Sequence, residues 1–323
     1  MEGEQLVTDN RIAVTSGEEF EFIRKYAESK GLKAEKKYVY HSAPEEFERE
    51  VKGYPAVLVG GEKYTDEILN SLKDSLKILT RFGVGYDNID YRSARKYNIA
   101  VSNTPGGNSA GVADQAMMFM LALGRATCRY DRQIRQNCWD KTIETHELIG
   151  KTVGLIGFGH IARLLRQYLS GFECRVLVMD DYVDDATMDQ HHVIRATMDE
   201  IAEQSDYISL HVPLTDATRG MIDRAFLQRM KKTAYLINTC RGEVVKEADL
   251  TEALQRGEIA GAGLDVLEKE PSDADNPLFQ MDQVILSPHV SFNTKESNER
   301  TAQMAIDEIA EYLATGHCKY IVN

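Results

Sequence analysis

Short apolar runs alternate with amphipathic segments along almost the whole chain. In the first hundred residues the runs RIAVT, KKYVY, AVLVGG, LKILT and IAVSN are separated by helical patterns. Short runs rich in β-branched residues predict strands, and their alternation with helices predicts parallel strands joined by crossover helices. The predicted helices cover residues 18–31, 43–53, Thr65–Leu72 and Tyr91–Lys96. A first α/β domain therefore ends near Asn103.

A stretch rich in glycine and proline, NTPGGNSAG, follows and is typical of a hinge. From Val112 to about Gln136 the pattern is helical, with no break strong enough to end one continuous helix. The first half of this helix is apolar on nearly all sides, which predicts burial between domains or between subunits. We therefore expect a homodimer that packs through this helix.

A second alternating series begins after Gly150. Its apolar runs are KTVGLIG, CRVLVMD, YISLHVP, TAYLINT, IAGAGLDVL and VILSPHV. The helical patterns reach Ser170, cover Met198–Gln204, Asp223–Met230 and Lys246–Arg256, and end with an amphipathic segment over Ser297–Leu313. Two consecutive βα series in 323 residues predict two domains, each large enough to bury its own core.

Composition and charge argue against several classes of function. The 38 Lys and Arg against 51 Asp and Glu leave a net charge of −13, which repels a phosphate backbone and an anionic membrane surface. The N-terminal MEGEQLVTDN lacks an apolar signal core, and no apolar stretch is long enough to span a bilayer. Five scattered cysteines without metal-ligand spacing are typical of reduced thiols. We expect a cytoplasmic protein that binds no nucleic acid, membrane or metal ion.

The first turn of the second series has the pattern of a dinucleotide-binding loop. Gly157 permits a tight turn out of the strand, Gly159 lets the backbone approach a pyrophosphate, and Ala162 lets the next helix pack closely. The amides of His160 and Ile161 would hold the phosphates at the helix N-terminus, where the helix dipole is positive.

An acidic residue stands at the distance that this motif requires. Asp180 lies 23 residues beyond Gly157, at the end of the next predicted strand. Its carboxylate can accept hydrogen bonds from both ribose hydroxyls of NAD, and it would repel the additional phosphate of NADP. Asp181 stands beside it and no arginine follows directly, so the pattern favours NAD.

Three further polar segments follow predicted strands of the same sheet, where ligands of open α/β sheets bind. Arg241, in NTCRG, can hold a carboxylate through two parallel hydrogen bonds. Histidine can transfer protons near neutral pH, and His289 stands in SPHV. Glu270, in GLDVLEKEP, would orient that imidazole and favour its charged form. Together these residues predict an acid/base pair beside a carboxylate-binding arginine.

These segments make the chain resemble the D-isomer-specific 2-hydroxyacid dehydrogenases, a family that includes phosphoglycerate, lactate and glycerate/hydroxypyruvate enzymes. The matching motifs follow the family's order from about residue 80 to 290. They are RFGVGYDNID, NTPGGNSAGVAD, GKTVGLIGFGHIAR, LHVPLTDAT, LINTCRGEVV, AGAGLDVLEKEP and SPHV.

The resemblance implies an α/β fold of two doubly wound parallel sheets. A Rossmann NAD-binding domain, residues 103–294, would be inserted into a flavodoxin-like substrate domain of residues 1–102 and 295–323. The cofactor implied is NAD, and the substrate is a small 2-hydroxy or 2-oxo acid. The activity implied is hydride transfer between the two.

The resemblance also implies roles for individual residues. Arg241 binds the substrate carboxylate, Glu270 pairs with His289, and His289 exchanges a proton with the substrate oxygen. The amides of Val84 and Gly85 would face the substrate carboxylate. Asp265 would position the nicotinamide carboxamide, and the cofactor cleft would be lined by Val212, Pro213, Thr218, Thr239 and Cys240, together with Arg241 and His289.

Two departures and two alternatives accompany this resemblance. Asp114 stands where the family more often has Glu, and SFNT after His289 replaces a small glycine-containing run, which leaves the cofactor contacts of Val290–Phe292 open. One alternative is a non-enzymatic, NAD-sensing protein of the corepressor type, which retains the same three residues. The other is a formate dehydrogenase, a branch that generally has Gln where Glu270 stands.

Overall fold

The computed structural model describes residues 9–16, 19–39 and 42–323, without the side chains of residues 44 and 45. Contacts divide the chain into two units, Met1–Asn108 with Asn293–Asn323, and Ser109–Phe292. The chain thus leaves the first unit, forms the whole second unit, and returns to the first with its last helix.

The first unit is built on a five-stranded parallel sheet. Its strands are β1 (Arg11–Val14), β2 (Lys33–Lys36), β3 (Ala56–Val59), β4 (Ile78–Arg81) and β5 (Ala100–Ser102). They lie in the order β2-β1-β3-β4-β5, which is the flavodoxin-like order. All four residues of β3 are buried, as expected for a central strand that is covered on both faces.

Helices cover this sheet and connect its strands. They are α1 (Phe20–Ser29), α2 (Pro44–Val51), α3 (Asp66–Leu72), α4 (Tyr91–Lys96) and the C-terminal α12 (Lys295–Thr315). Thr294 caps α12 by accepting a hydrogen bond from the amide of Ser297. Ala302, Ala305 and Ile306 on α12 are fully buried in the core that it shares with α1 and the sheet.

The second strand differs from the prediction. KKYVY was expected to form it, but β2 consists of KAEK, and residues 37–39 lie outside regular structure. Pairing explains the difference, because β2 is an edge strand whose four residues align with Arg11–Val14 of β1. An edge strand tolerates charged side chains, so β-propensity alone identified the wrong segment. Tyr40 lies outside the described residues.

The second unit is built on a seven-stranded parallel sheet. Its strands are β6 (Thr152–Ile156), β7 (Arg175–Met179), β8 (Ile194–Arg195), β9 (Tyr207–Leu210), β10 (Tyr235–Asn238), β11 (Gly261–Leu264) and β12 (Val284–Leu286). Their order, β12-β11-β10-β9-β6-β7-β8, is the Rossmann order extended by one strand. The short β8 was not predicted.

Seven helices of at least six residues belong to the described part of this unit. They are α5 (Ser109–Gly124), α6 (Thr127–Arg135), α7 (His160–Leu169), α8 (Asp185–Gln190), α9 (Met198–Gln204), α10 (Arg224–Arg229) and α11 (Glu247–Gln255). The prediction of one continuous helix from Val112 to Gln136 is wrong, because α5 and α6 are separate. Ala126 between them is in the left-handed region, with a φ of 50°.

Gly124, the last residue of α5, is closely packed. A Cβ on Gly124 would stand 2.4 Å from the Tyr207 hydroxyl, so a larger residue would not fit there. The amide of His146 donates to the Gly124 carbonyl at 2.7 Å, which occupies one of the carbonyls left open at the helix end.

We predict that Gly263→Ala destabilises the second unit. Gly263 lies in β11, and a Cβ there would stand 2.6 Å from Cγ of Phe119, whose side chain is fully buried on α5. Overpacking of this kind costs about 1–3 kcal/mol, so calorimetry should record a lower thermal midpoint. Gly171→Ala is the control, because no heavy atom lies within 4 Å of its Cβ position. Equal midpoints for the two variants would contradict the prediction.

Candidate active site

The glycine loop connects β6 to α7. Gly157 has a φ of +90°, and a Cβ there would stand 2.5 Å from the carbonyl oxygen of His211, so the turn requires glycine. No heavy atom lies within 4 Å of a Cβ placed on Gly159, so the backbone is open to a ligand at that point. Ala162, on the first turn of α7, is fully buried. The loop thus combines a tight turn, an open backbone and close helix packing.

The amides that would hold phosphates lie at the start of α7. His160 is its first residue and Ile161 its second. First-turn amides have no partner within their own helix, and the helix dipole is positive there. These features fit the pyrophosphate of a dinucleotide.

Asp180 follows β7 and is bonded to the glycine loop. Its Oδ2 accepts a hydrogen bond from the amide of Phe158 at 2.7 Å, and its Oδ1 accepts one from the amide of Tyr182 at 2.9 Å. Carboxylate oxygens have further lone pairs, so these bonds leave acceptor capacity for ribose hydroxyls. Asp180 therefore also holds the glycine loop in place through the Phe158 amide.

An arginine that the sequence pattern did not indicate lies beside this acid. No arginine directly follows Asp180, but the fold brings Arg195 of β8 to the same turn. Its guanidinium donates to the carbonyl oxygens of Asp180 and Val183, and it forms an ion pair with Asp185 at 2.8 Å. Prediction of β8 as a neighbour of β7 would have been needed to find it.

The loop after β9 contains Val212, Pro213 and Thr218. The Thr218 hydroxyl donates to the carbonyl oxygen of Pro213 at 2.6 Å and accepts a hydrogen bond from the amide of Thr215 at 2.8 Å. His211 begins the loop, and both of its ring nitrogens are buried without a hydrogen-bond partner in the described chain. Burial lowers the pKa of His211 to about 4, so its imidazole is neutral near pH 7.

Asn238, at the end of β10, organises the loop that carries Arg241. Its side-chain nitrogen donates to the carbonyl oxygen of Arg241 at 2.9 Å, and its side-chain oxygen accepts from the amide of Cys240 at 3.0 Å. Arg241 Nη1 donates to the carbonyl oxygen of Cys240 at 2.8 Å. Thr239 is 8% exposed, and burial raises the pKa of the Cys240 thiol to about 11. The sequence pattern had not indicated the role of Asn238.

The Arg241 loop packs against the segment that contains Glu270. A Cβ on Gly242 would stand 2.0 Å from the carbonyl group of Leu267, so the two backbones approach as closely as glycine allows. The charge of Arg241 contributes to lowering the pKa of Glu270. The structure therefore brings Arg241 and Glu270 to the same edge of the second unit.

His289 and Glu270 form a hydrogen-bonded pair. His289 Nδ1 lies 2.7 Å from Glu270 Oε2, and Glu270 Oε1 accepts from the amide of Leu267 at 3.0 Å. Partial burial raises the pKa of Glu270, but the hydrogen bond and charge of His289 outweigh that effect, so the pKa is lowered overall. The side chain of His289 is 40% exposed and that of Glu270 is 38% exposed, so a ligand can reach both.

Asp265 holds the loop on which His289 lies. This residue is 2% exposed, and its carboxylate accepts hydrogen bonds from the Ser287 hydroxyl and from the amides of Val290 and Ser291. Its carbonyl oxygen accepts from the amide of His289 at 2.7 Å. His289 itself is in the left-handed region, with a φ of 54°. Its contacts therefore give Asp265 a structural role in addition to the cofactor contact expected of it.

Val84 and Gly85 lie in the first unit, in the loop after β4. The side chain of Asn103 donates to the Val84 carbonyl oxygen at 2.8 Å. The amide of Gly83 donates to the Thr104 hydroxyl at 2.9 Å, which fixes the preceding turn. Among the described residues no acceptor takes a hydrogen bond from the amides of Val84 and Gly85. Two such amides in succession are suited to an anionic ligand.

Residues 9–16, 19–39 and 42–323 contain neither a candidate metal site nor a helix that could cross a membrane. These residues contain no group of three or more His, Cys, Asp or Glu side chains that could hold a metal ion. Over the same ranges, each helix is too short or too polar to cross a membrane.

Comparison with known proteins gives consistent matches. Residues 117–291 match the family model "D-isomer specific 2-hydroxyacid dehydrogenase, NAD binding domain". The D-3-phosphoglycerate dehydrogenase of Archaeoglobus fulgidus is 36% identical over 286 residues, which are 88% of this chain and 54% of that protein. The chain thus spans about half the length of that relative.

Two further matches extend over most of both proteins. A glyoxylate reductase of Korarchaeum cryptofilum is 37% identical over 242 residues, which cover 73% of each chain. The solved structure of a D-lactate dehydrogenase with NAD+ from Lactobacillus jensenii has a TM-score of 0.80 and 28% identity, and covers 97% of this chain and 99% of its own.

These matches confirm the predicted family, the fold of two parallel α/β sheets and NAD as the cofactor. They also confirm the predicted class of enzyme. The chain belongs to the D-isomer-specific 2-hydroxyacid dehydrogenases and is an NAD-dependent oxidoreductase of that family.

Proposed function

We propose that this enzyme interconverts a D-2-hydroxy acid and its 2-oxo acid, with His289 and Glu270 as the acid/base pair and Arg241 as the carboxylate ligand. The observation that carries the proposal is the 2.7 Å contact between His289 Nδ1 and Glu270 Oε2. It occurs at the edge of the sheet to which the Arg241 loop is also fixed.

The pair is suited to proton transfer. Glu270 occupies Nδ1 of His289, which leaves Nε2 for the substrate oxygen. The lowered pKa of Glu270 keeps its carboxylate ionised near neutral pH, where the negative charge stabilises an imidazolium. In the reductive direction His289 donates a proton to the oxygen that was the carbonyl oxygen. Bound NADH supplies the hydride.

Two groups are proposed to bind the substrate carboxylate. Arg241 offers a planar fork of N–H donors that matches both carboxylate oxygens. In the first unit, the consecutive amides of Val84 and Gly85 offer two further donors. Such binding fixes the substrate in one orientation, which lowers the entropic part of the barrier.

The NAD contacts are proposed from the geometry of the second unit. Gly157 and Gly159 give the pyrophosphate access to the backbone, and the amides of His160 and Ile161 hold its charge. Asp180 accepts from the ribose hydroxyls. The remaining cofactor contacts that we propose are Asp265 at the nicotinamide carboxamide and, along the cleft, Val212, Pro213, Thr218, Thr239, Cys240, Arg241 and His289.

The compartment and the oligomeric state are also proposals. All five cysteines have free thiols, which suits the reducing cytosol. Met118 and Leu121 on α5, and Trp139 beyond α6, are exposed apolar side chains of the second unit. Met118 and Leu121 lie about one turn apart on the same helix, and adjacent exposed apolar side chains are typical of a protein interface, so we propose that a second copy of the chain covers this face of α5.

We predict that His289→Ala lowers kcat by roughly 10²- to 10⁴-fold, because general acid catalysis contributes that much. The Kd of NADH, measured by fluorescence titration, should change little, since the proton transfer matters mainly in the transition state. Glu270→Gln is the matched variant, because the amide keeps a hydrogen bond but loses the charge that stabilises the imidazolium. It should lower kcat less than His289→Ala does. An unchanged kcat in His289→Ala would contradict the assignment.

Arg241→Lys should raise KM for the 2-oxo acid by roughly 10- to 100-fold, because a point charge replaces a bidentate, charge-assisted pair. Steady-state kinetics with a panel of 2-oxo acids and NADH measure this. Arg256→Lys is the control, since Arg256 lies at the end of α11 and forms an ion pair with Glu252 on the same helix. If KM were unchanged for every acid, Arg241 would not bind the carboxylate.

Light scattering should give twice the 36.4 kDa chain mass for the wild-type protein. The double variant Met118→Glu and Leu121→Glu should have the single-chain mass, because two charges cannot be buried unpaired in an apolar interface. Ile194→Glu, at another exposed apolar position, serves as the control and should remain a dimer. A wild-type protein with the single-chain mass would refute the dimer.

A further inference from the structure

A second group of polar side chains lies in the first unit, where β1 and β3 end. These strands are neighbours in the sheet although β2 separates them in sequence, so the strand order changes direction between them. In open α/β sheets, ligands bind beyond the carboxyl ends of the strands at such a point. Ser16 follows β1, and the turn Gly60–Gly61–Glu62 follows β3.

Glu62 directs its carboxylate back over this turn. A Cβ on Gly60 would stand 2.9 Å from Glu62 Oε2 and 3.3 Å from the Cα of Ser16, so the carboxylate lies between the two strand ends. Both carboxylate oxygens are buried, and in the described part of the chain neither has a hydrogen-bond partner. The hydroxyl of Thr15 is near enough to lower the pKa of Glu62, but its proton is donated to the carbonyl oxygen of Leu58 at 3.0 Å.

Two hydroxyls near Glu62 are unsatisfied as well. Ser16 is 3% exposed and Tyr64 is 1% exposed, and neither hydroxyl has a hydrogen-bond partner among the described residues. Burial raises the pKa of Glu62, and burial followed by the Glu62 charge raises the pKa of Tyr64 well above its ordinary value. Buried polar groups without partners reduce stability, so a ligand that satisfies them explains why they are present.

This group lies beside the loop that we propose for the substrate carboxylate. β3 and β4 are paired neighbours, so the ends of these two strands lie one strand spacing of about 4.8 Å apart. The side chain of Asn88 donates to the carbonyl oxygens of Glu62 at 2.7 Å and Gly60 at 3.3 Å, which links the two turns. A molecule held by the amides of Val84 and Gly85 thus has Glu62 on the neighbouring strand end.

We propose that Glu62 determines substrate specificity by binding a hydroxyl group on C3 of the 2-oxo acid and by repelling a phosphate at that position. The inference rests on the proposed function, in particular on the carboxylate contacts of Val84 and Gly85. A substrate hydroxyl can donate to one carboxylate oxygen, whereas a methyl group leaves both unsatisfied. A phosphorylated side chain would place like charges together.

Arg81 carries a positive charge close to Glu62. Its charge acts on Glu62, which opposes the effect of burial on the pKa of that carboxyl group. Its guanidinium donates to the main-chain carbonyl oxygens of Val59 and Phe82, which directs it along the strand ends. Glu62 is therefore an acidic group near the unsatisfied hydroxyls, and Arg81 moderates its charge.

The test compares kcat/KM for hydroxypyruvate, pyruvate and 3-phosphohydroxypyruvate with NADH. We expect the wild-type enzyme to prefer hydroxypyruvate over pyruvate by roughly 10- to 100-fold, the effect of one buried hydrogen bond, and to use the phosphorylated acid poorly. Glu62→Leu should abolish the preference for the hydroxyl. Glu62→Gln should keep most of it and use the phosphorylated acid better than the wild type does.

Controls separate specificity from folding. Glu67→Leu makes the same change at an exposed position on α3 and should leave all three kcat/KM values unchanged. Glu62→Leu removes an unsatisfied buried carboxylate, so its thermal midpoint should equal or exceed that of the wild type. Equal use of hydroxypyruvate and pyruvate by the wild type, or an unchanged preference in Glu62→Leu, would overturn the proposal.

Calorimetry tests Glu62 independently of turnover. With NAD present, D-glycerate should bind the wild-type protein more tightly than D-lactate, and Glu62→Leu should bind the two alike. Equal affinities in the wild type would overturn the inference. Failure of all three 2-oxo acids to oxidise NADH would instead count against the proposed function, while the calorimetric comparison would still decide the role of Glu62.

Discussion

The arrangement of the candidate active site depends on one buried carboxylate, that of Asp265. Its two oxygens accept three hydrogen bonds from residues 287–291, and its own amide donates to the carbonyl oxygen of Asn238 at 2.9 Å. Asn238 in turn fixes the main chain on both sides of Cys240. The loops that carry Arg241 and His289 are therefore attached to the same point between two neighbouring strands.

This attachment offsets an unfavourable backbone conformation. A non-glycine residue in the left-handed region costs about 1–3 kcal/mol and persists only where surrounding contacts impose it. Three hydrogen bonds impose this conformation on His289. Its own amide donates to the Asp265 carbonyl oxygen, and the amides of Val290 and Ser291 donate to the Asp265 carboxylate. In this conformation the imidazole lies 2.7 Å from the Glu270 carboxylate, so the position of the His289–Glu270 pair depends on how the residues that follow β11 are held.

The sequence was sufficient for most of the architecture because parallel strands and amphipathic helices have strong periodic patterns. It failed where context overrides propensity, as in the polar edge strand KAEK and at Ala126, whose left-handed conformation separates α5 from α6. Arg241, Glu270 and His289 were identifiable because each follows a strand of the same sheet. Arg195, Asn238 and Glu62 were not, because their significance depends on which loops the folded chain brings together.

The raised pKa of Cys240 has a consequence for the way in which this sulfur reacts with oxidants. Peroxides and electrophiles attack thiolates, and a thiol with a pKa of about 11 has almost none at physiological pH. A sulfur placed next to a guanidinium, as Cys240 is next to that of Arg241, would ordinarily be a point of oxidative inactivation. Here the raised pKa keeps the sulfur in its less reactive thiol form, so the cofactor that we propose to bind beside Cys240 meets little thiolate that an oxidant could sulfenylate.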